Sequence, residues 1–210
     1  MRGRRDEISD VFKERAFKVL SIFVNNKDSK NLMNLKDDFY DSLMENLWNE
    51  GVNNKYDREM VIKIIKFINN KVKRNFNIVN YTIKKIENKE LHKVYSELID
   101  IKHIGHKISS FYLRDLVCVF DDYKFSKEEQ VYLQPIDNWV GEVLTRLNFF
   151  QELAITKKAD NLNERELFLL RGKIVDRCWE AGVSPVEFNQ GAWYIGKNAF
   201  EILINNIDRF

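Results

Sequence analysis

Two residues with reactive side chains, Lys107 and Asp137, each stand at the predicted start of a helix. A neutral lysine amine can attack an electron-poor carbon and form a Schiff base. The distance between the lysine and the aspartate in the sequence does not prevent their meeting, because two helix starts can converge in the folded chain. Each residue also has an ordinary structural interpretation. A lysine at a helix start can contact phosphate or solvent, and aspartate is a preferred N-cap residue.

The lysine follows a short connection between two predicted helices. An apolar helix ends at residues 99–101, and a second helix is predicted to begin at Lys107. Between them, Gly105 is free to adopt backbone angles that other residues avoid. Backbone N–H groups at such a hairpin and helix start point outward, where they can bind a phosphate oxygen. This pattern predicts a helix-hairpin-helix motif over about residues 90–120.

The order of these features resembles the helix-hairpin-helix DNA glycosylase superfamily, whose motif reads roughly Leu-Pro-Gly-Val-Gly-x-Lys, followed later by Val-Asp. Gly105 matches the second motif glycine, Lys107 the lysine and Asp137 the aspartate. Two positions depart from the motif, because Lys102 stands at the proline and His103 at the first glycine. The long interval between the lysine and the aspartate is similar to that of the archaeal 8-oxoguanine DNA glycosylase branch.

The resemblance covers residues 91–147 and a stretch near residues 184–196, and it implies an activity. In bifunctional members the motif lysine is the nucleophile and the aspartate is its catalytic partner, which implies these roles for Lys107 and Asp137. The amine would attack C1′, release the base and form a Schiff base that permits strand cleavage by β-elimination. The carboxylate would offset the positive charge that builds on the sugar. The implied protein is a base-excision repair enzyme, a DNA N-glycosylase with AP lyase activity on an oxidised purine, 8-oxoguanine, in double-stranded DNA.

Such an enzyme must flip the damaged nucleotide out of the duplex and hold its base between flat or apolar groups. Asn189 and Trp193 are four residues apart and share a helix face, so they present an amide and an indole together. A late helix often forms the base pocket in this superfamily, which implies that both bind the base. Phe111, one turn after Lys107, would cover the other side, and Gly191 would allow a close approach to the helix. Core packing is the alternative for both aromatic residues.

The resemblance also implies contacts to the DNA backbone around the connection, from His103, Gly105, His106 and Ser109. Two histidines can suggest a metal, but no third or fourth ligand is spaced to join them, so we predict no metal site. The chain has two cysteines, too few for the four-thiolate iron–sulfur loop of some superfamily members. We therefore expect no cofactor beyond a structural monovalent cation, which the hairpin carbonyls can bind in this superfamily.

Composition is ordinary for a globular protein, with 44% hydrophobic and 31% charged residues. No stretch approaches the ~20 apolar residues of a membrane span, and there is no phosphate-loop or nucleophile-elbow motif. Cys118 and Cys178 lie in apolar helical patterns, which favours reduced core residues in a cytoplasmic protein. We expect a monomer in the cytoplasm of a prokaryote, associated with the nucleoid and with no membrane partner.

Charge is unevenly distributed, although the net charge is only +2. Residues 37–59 contain seven acids against two bases, whereas residues 61–93 contain nine bases against two acids. A basic segment that leads into a phosphate-binding hairpin fits a DNA-binding face. A solvated helical surface is the alternative interpretation of the same segment.

Helical spacing of apolar residues appears along almost the whole chain, and no alternating run bounded by turn signals predicts a strand. We expect one all-α unit over residues 1–210, a two-lobed helical bundle with the hairpin at the floor of a cleft between the lobes. Helices are predicted over residues 6–25, 35–48, 57–72, 79–86, 90–99, 107–120, 138–150, 163–179, 186–194 and 198–207.

Two of the helix starts carry strong local signals. Asn163 is followed three residues later by Glu166, which is the spacing of a capping box. Ser184 precedes Pro185 and is followed three residues later by Glu187, which predicts an N-cap serine with proline in the first turn.

Two other functions remain open from the sequence. The departures at Lys102 and His103 are compatible with a non-catalytic helix-hairpin-helix protein that binds DNA. The third possibility is a helical protein-interaction domain in which the motif match arises by chance. Salt-dependent binding of DNA separates this last possibility from the first two.

Overall fold

The computed structural model describes residues 6–25, 37–72, 77–120 and 123–199. These residues form helices joined by short connections, and they contain no β-strand. The predicted all-α fold class is therefore confirmed for the described part of the chain. The helix-hairpin-helix motif and the cleft remain predictions.

The described residues contain eleven α-helices: α1 (Asp6–Asn25), α2 (Asp37–Asn49), α3 (Lys55–Phe67), α4 (Ile78–Glu87), α5 (Leu91–Ile99), α6 (His106–Val119), α7 (Lys127–Gln130), α8 (Asn138–Arg146), α9 (Phe149–Glu152), α10 (Glu164–Glu180) and α11 (Pro185–Asn198). A π-helical turn, Ile68–Val72, continues α3, and two 3-10 turns lie at Val131–Leu133 and Ala159–Asn161. None of these helices has the length and apolar character needed to cross a membrane.

The chain divides into two compact units. The first contains Met1–Lys84 and Asp100–Gly105, so the six residues between α5 and α6 belong to it. Its core forms where α1, α2 and α3 pack together, and Leu43 and Leu47 are completely buried there. Burial of the apolar stripe on each amphipathic helix stabilises this unit.

The second unit contains Lys85–Ile99 and His106–Phe210. Its core is built mainly from α8, α10 and α11, and Leu144, Leu170 and Ile174 are completely buried within it. In this unit α5 also packs against α6, so the helices on either side of residues 100–105 are in contact. Every residue of this unit named below as a candidate for chemistry lies on α6, on α11 or in the segment that precedes α8.

Two glycines, which have no Cβ, allow close packing of elements in the second unit. A Cβ at the buried Gly196 of α11 would overlap the carbonyl oxygen of Trp139 in α8. A Cβ at Gly141 of α8 would similarly overlap the Cβ of Ala159. Gly191 differs from both, because a Cβ there would meet nothing within 4 Å. Glycine is therefore required by packing at two of these positions and not at the third.

The helix starts predicted from local signals are confirmed. Asn163 accepts a hydrogen bond from the backbone N–H of Glu166, whose side chain accepts one in return, so a capping box begins α10. Ser184 accepts a hydrogen bond from the backbone N–H of Glu187 and caps α11, with Pro185 in the first turn. Each cap depends only on residues three positions apart, which is why the sequence alone predicts it.

Two predicted helices differ from the observed ones. The helix predicted over residues 138–150 is interrupted because Asn148 adopts a left-handed conformation with φ 59°, which separates α8 from α9. At the other end of the chain, α11 continues through Gly191 to Asn198 instead of ending at residue 194. The helix predicted over residues 198–207 lies outside the described residues from position 200 onward.

Candidate active site

The connection between α5 and α6, residues 100–105, makes a tight turn at His103. The φ of His103 is +75°, in the left-handed region that disfavours residues with a side chain. Ile104 donates its backbone N–H to the carbonyl oxygen of Ile101 at 2.8 Å. Gly105 does not have a positive φ, so the prediction that Gly105 supplies the unusual backbone angles is wrong. The left-handed residue lies two positions earlier, where the motif has its first glycine.

One acid of α3, Glu59, contacts two side chains of this connection. Its Oε2 lies 2.8 Å from Nζ of Lys102 and 2.8 Å from Nε2 of His103. The hydrogen bond from Lys102, followed by that from His103, lowers the pKa of Glu59 to about 2. The ring of Tyr56 packs edge-on against His103, with centroids 5.2 Å apart. Both departures from the motif therefore have partners inside the first unit.

The residues predicted to contact the DNA backbone differ in exposure. Gly105 is exposed, and a Cβ at this position would meet nothing within 4 Å. Ser109 is 1% exposed, so the prediction that its side chain contacts DNA is corrected, because α6 turns that hydroxyl into the protein. His103 is partly exposed, but its Nε2 is engaged with Glu59. Of these three residues, Gly105 is the one whose surface is open to a phosphate.

His106, the fourth residue, belongs to an internal polar cluster with Tyr95 and Arg171. The completely buried Arg171 donates from Nη1 to the Tyr95 hydroxyl at 2.6 Å and from Nη2 to the carbonyl oxygen of His106 at 3.2 Å. The Tyr95 hydroxyl is also hydrogen-bonded to Nδ1 of His106, 2.7 Å away. Burial, followed by the charge of Arg171, lowers the pKa of His106. Because Tyr95 engages Nδ1, the other ring nitrogen of His106, Nε2, is the one that remains for a phosphate.

Lys107 lies in the first turn of α6, and its side chain is exposed. It makes no hydrogen bond or ion pair with any residue in the described part of the chain. The helix begins at His106, one residue before the predicted start. Spacings of four and seven residues place Phe111 and Arg114 on the same face of α6 as Lys107. An amine with no partner among the described residues therefore lies at the N-terminal end of this face.

Arg114 connects this face of α6 to α11. Its guanidinium lies over the ring of Phe111, with Cζ 4.8 Å from the centroid, and it also pairs with the exposed Asp115 at 2.7 Å. From Nη1 it donates a hydrogen bond to Oδ1 of Asn189 at 2.9 Å. Asn189 in turn donates from Nδ2 to the carbonyl oxygen of Pro135 at 3.1 Å. These hydrogen bonds join α6, α11 and the segment before α8.

Asn189 does not have the surroundings predicted for a base-binding residue. It is 0% exposed, and both of its amide atoms are engaged within the protein. A base edge could reach Asn189 only by displacing one of these hydrogen bonds, which would leave a buried polar group unsatisfied. The prediction that Asn189 binds the damaged base is therefore corrected. Its partners, Arg114 and Pro135, are far away in sequence, so the spacing within one helix could not reveal them.

Asp137 is the N-cap of α8, as its position just after Pro135 predicts. Its Oδ1 accepts a hydrogen bond from the backbone N–H of Val140 at 2.9 Å. Its Oδ2 accepts one from Nε1 of Trp193 in α11 at 3.0 Å, and both side chains are partly buried. The capping role does not exclude a chemical one, because each carboxylate oxygen keeps a second lone pair.

Two cations that the sequence analysis did not single out lie over the candidate aromatic rings. Arg114 lies over Phe111, and Nζ of Lys197 lies 4.9 Å from the ring centroid of Trp193. Each cation has a signal in the sequence, since Arg114 shares the helix face of Lys107, and Lys197 follows Trp193 by four residues. The two rings are partly buried. Trp193 also packs against the apolar core of the second unit, as the core-packing interpretation expects.

No family model, no curated protein and no solved structure matches this chain.

The described residues contain no group of three or more His, Cys, Asp or Glu side chains that could hold a metal ion. Cys178 is buried in the core, as predicted, and burial raises the pKa of its thiol to about 11. Cys118 is exposed, so the prediction that it is a core residue is wrong. Nε2 of Gln190 in α11 lies 3.0 Å from its Sγ.

Proposed function

We propose that this protein is a DNA N-glycosylase with AP lyase activity that removes an oxidised purine, 8-oxoguanine, from double-stranded DNA. The observation that supports this best is the hydrogen bond between Asp137 and Trp193, which are 56 residues apart in the sequence. It joins the residue proposed to assist the chemistry to the residue proposed to stack on the base. Both were assigned to one site from the resemblance alone.

Lys107 is linked to this pair through α6. Arg114 follows the lysine by two helical turns on the same face and is hydrogen-bonded to Asn189 of α11. Asn189 also binds the carbonyl oxygen of Pro135, in the segment that ends at the aspartate. The same buried contacts therefore anchor the helix of the lysine, the helix of the tryptophan and the segment of the aspartate. This supports one site formed from three parts of the chain.

In the proposed reaction, the Lys107 amine loses a proton and attacks C1′ of the flipped nucleotide, while the bond from C1′ to the base breaks and the base leaves with a proton. The carboxylate of Asp137 accepts the amine proton and passes it to the leaving base, and the carboxylate that this regenerates offsets the positive charge on the sugar. A second amine proton moves to the ring oxygen as the sugar ring opens, which gives the Schiff base. Loss of a 2′ proton then expels the 3′ phosphate, and hydrolysis of the Schiff base returns the amine.

The aromatic rings define how a base would be held. Nε1 of Trp193 is engaged with Asp137, so this residue would contribute its ring face rather than a hydrogen-bond donor. Phe111, one turn after Lys107, would cover the opposite side of the base. Asn189 would act indirectly, because its amide positions α11 against α6. The exposed backbone at Gly105 would contact a phosphate oxygen.

Borohydride trapping on duplex DNA with a single 8-oxoguanine tests the proposal, because borohydride reduces a Schiff base to a stable covalent adduct. The parent protein is expected to give an adduct and Lys107→Gln none. Lys197→Gln is the matched control, because Lys197 is the amine beside Trp193. An adduct that survives in Lys107→Gln and disappears in Lys197→Gln would show that the nucleophile is misassigned.

A non-catalytic DNA-binding protein is the second candidate. It is favoured by Asn189, the residue predicted to bind the damaged base, because Arg114 and the carbonyl oxygen of Pro135 already occupy its amide. In that case no adduct forms with 8-oxoguanine or other lesions, while the parent and Lys107→Gln bind duplex DNA equally, with a steep dependence on salt. Absence of any DNA binding would exclude both candidates and favour a protein-interaction domain.

A further inference from the structure

Glu59 contacts both residues that depart from the glycosylase motif. Its Oε2 is 2.8 Å from Nζ of Lys102 and 2.8 Å from Nε2 of His103, and its side chain is 19% exposed. Nζ of Lys55 lies 3.9 Å from the other carboxylate oxygen. Hydrogen bonds to an ionised group are stronger than neutral ones. Two such bonds to one oxygen restrain neighbouring side chains at the centre of the α5–α6 connection.

His103 needs this restraint because of its backbone conformation. Its φ of +75° is disfavoured for any residue with a Cβ, whereas glycine adopts it readily. The imidazole contacts Glu59 through Nε2 and packs against the ring of Tyr56, and both partners come from α3. Loss of these contacts is therefore expected to let the φ of His103 move toward negative values and the turn open.

We propose that Glu59 is a positioning residue for the α5–α6 connection. It holds the side chains of Lys102 and His103, so that His103 keeps a left-handed backbone conformation that glycine would adopt without such contacts. This inference rests on the proposed function, in which the exposed backbone at Gly105 contacts a phosphate. Glu59 acts through the turn and does not itself contact DNA. Its carboxylate oxygen is directed at the two side chains of the connection.

Removal of the Glu59 side chain would have two opposite effects on the affinity for DNA, one through charge and one through the conformation of the turn. Removal of an acid near a phosphate-binding turn reduces electrostatic repulsion and strengthens DNA binding. Loosening of the turn weakens binding. Replacing His103 by glycine separates the two effects, because glycine adopts the left-handed conformation without restraint. The comparison that matters is therefore between Glu59→Ala and Glu59→Ala/His103→Gly, which both lack the acid.

Hydrogen exchange of the Ile104 amide in the free protein tests positioning without any DNA. This amide donates to the carbonyl oxygen of Ile101 at 2.8 Å, so it reports whether the turn is closed. Exchange is expected to be about tenfold faster in Glu59→Ala and to return to within about threefold of the parent rate in Glu59→Ala/His103→Gly. An unchanged exchange rate in Glu59→Ala overturns the inference.

Affinity for duplex DNA, measured at pH 8 and fixed salt, tests the role of the turn in binding. Glu59→Ala/His103→Gly is expected to bind about fivefold more tightly than Glu59→Ala. Equal affinities would overturn the role of the turn in binding DNA. If exchange behaves as expected but the parent binds no DNA, the proposed function fails and the positioning role of Glu59 stands.

Two controls separate positioning from loss of the fold or of the chemistry. Thermal unfolding followed by circular dichroism shows whether each variant folds. Where Glu59→Ala does not fold, Glu59→Gln keeps the shape of the side chain without its charge, and we expect exchange about threefold faster than in the parent. The rate of adduct formation at saturating DNA is expected to be unchanged in Glu59→Ala, whereas the half-saturating DNA concentration changes. A lower rate at saturation would contradict a role limited to binding.

Discussion

Nε1 of Trp193 donates a hydrogen bond to Oδ2 of Asp137 at 3.0 Å, while Oδ1 of the same carboxylate accepts the backbone N–H of Val140 at 2.9 Å. One aspartate therefore caps α8 and also fixes a ring of α11. The cap requires only a hydrogen-bond acceptor, whereas the proposed chemistry requires a negative charge. Substitutions that keep the acceptor and remove the charge separate the two roles.

Asp137→Asn is expected to abolish most excision while the protein still folds. The amide oxygen can still accept the backbone N–H of Val140, but the bond from Trp193 is lost, so unfolding free energy falls by about 1–3 kcal/mol. Loss of the group that passes protons should slow excision by about 10²–10⁴-fold. Single-turnover release of 8-oxoguanine measures the rate, and chemical denaturation measures stability. Excision at the parent rate would show that Asp137 is only a cap.

Trp193→Phe keeps an aromatic ring and removes the donor to Asp137. We expect the excision rate to fall by more than about tenfold, because misplacing a reacting group is costly. The control is Trp179→Phe, which removes a different indole hydrogen bond, from Nε1 to Oε1 of Gln130 at 3.1 Å. Trp179→Phe should excise at the parent rate. Excision at the parent rate in both variants would show that the hydrogen bond from Trp193 to Asp137 is not needed for excision.

Gly196→Ala is expected to destabilise the protein, because the added Cβ would overlap the carbonyl oxygen of Trp139 and force α11 away from α8. Overpacking of this kind costs about 1–3 kcal/mol of unfolding free energy. Gly191→Ala on the same helix is the matched control, since its Cβ would meet nothing within 4 Å. Alanine there should stabilise the helix by up to about 1 kcal/mol. Thermal unfolding of the two variants checks the contrast, which disappears if α8 and α11 are not packed this closely.

Stability should depend on pH through His106. Burial and the charge of Arg171 lower the pKa of His106 below the ordinary value, so the unfolded chain binds a proton more readily than the folded protein does. Stability is therefore greatest above a pH of about 6.5 and falls as the pH decreases toward the folded pKa. His106→Gln should flatten the dependence of unfolding free energy on pH between about 7 and 5. An unchanged dependence in His106→Gln would contradict the assignment to His106.

The sequence alone correctly predicted the features that depend on neighbours within one turn of a helix. The caps at Asn163 and Ser184 need only the backbone N–H three residues later, and both appear as predicted. Asp137 as the start of a helix is of the same kind. The interruption at Asn148 was missed, because a single left-handed residue inside an apolar helical pattern leaves the periodicity almost unchanged.

The sequence by itself determined the all-α class and most helix starts, since residue type and short spacing carry that information. Its resemblance to the glycosylase motif supplied Lys107, Asp137, Phe111 and Trp193 as candidates. Tertiary structure alone decided that Asn189 is buried between Arg114 and Pro135, and that Glu59 holds His103 in a left-handed turn. These partners are 44 to 75 residues apart. Contacts of that range depend on how whole helices pack, because packing brings together side chains that lie far apart in the sequence and have no local signal for each other.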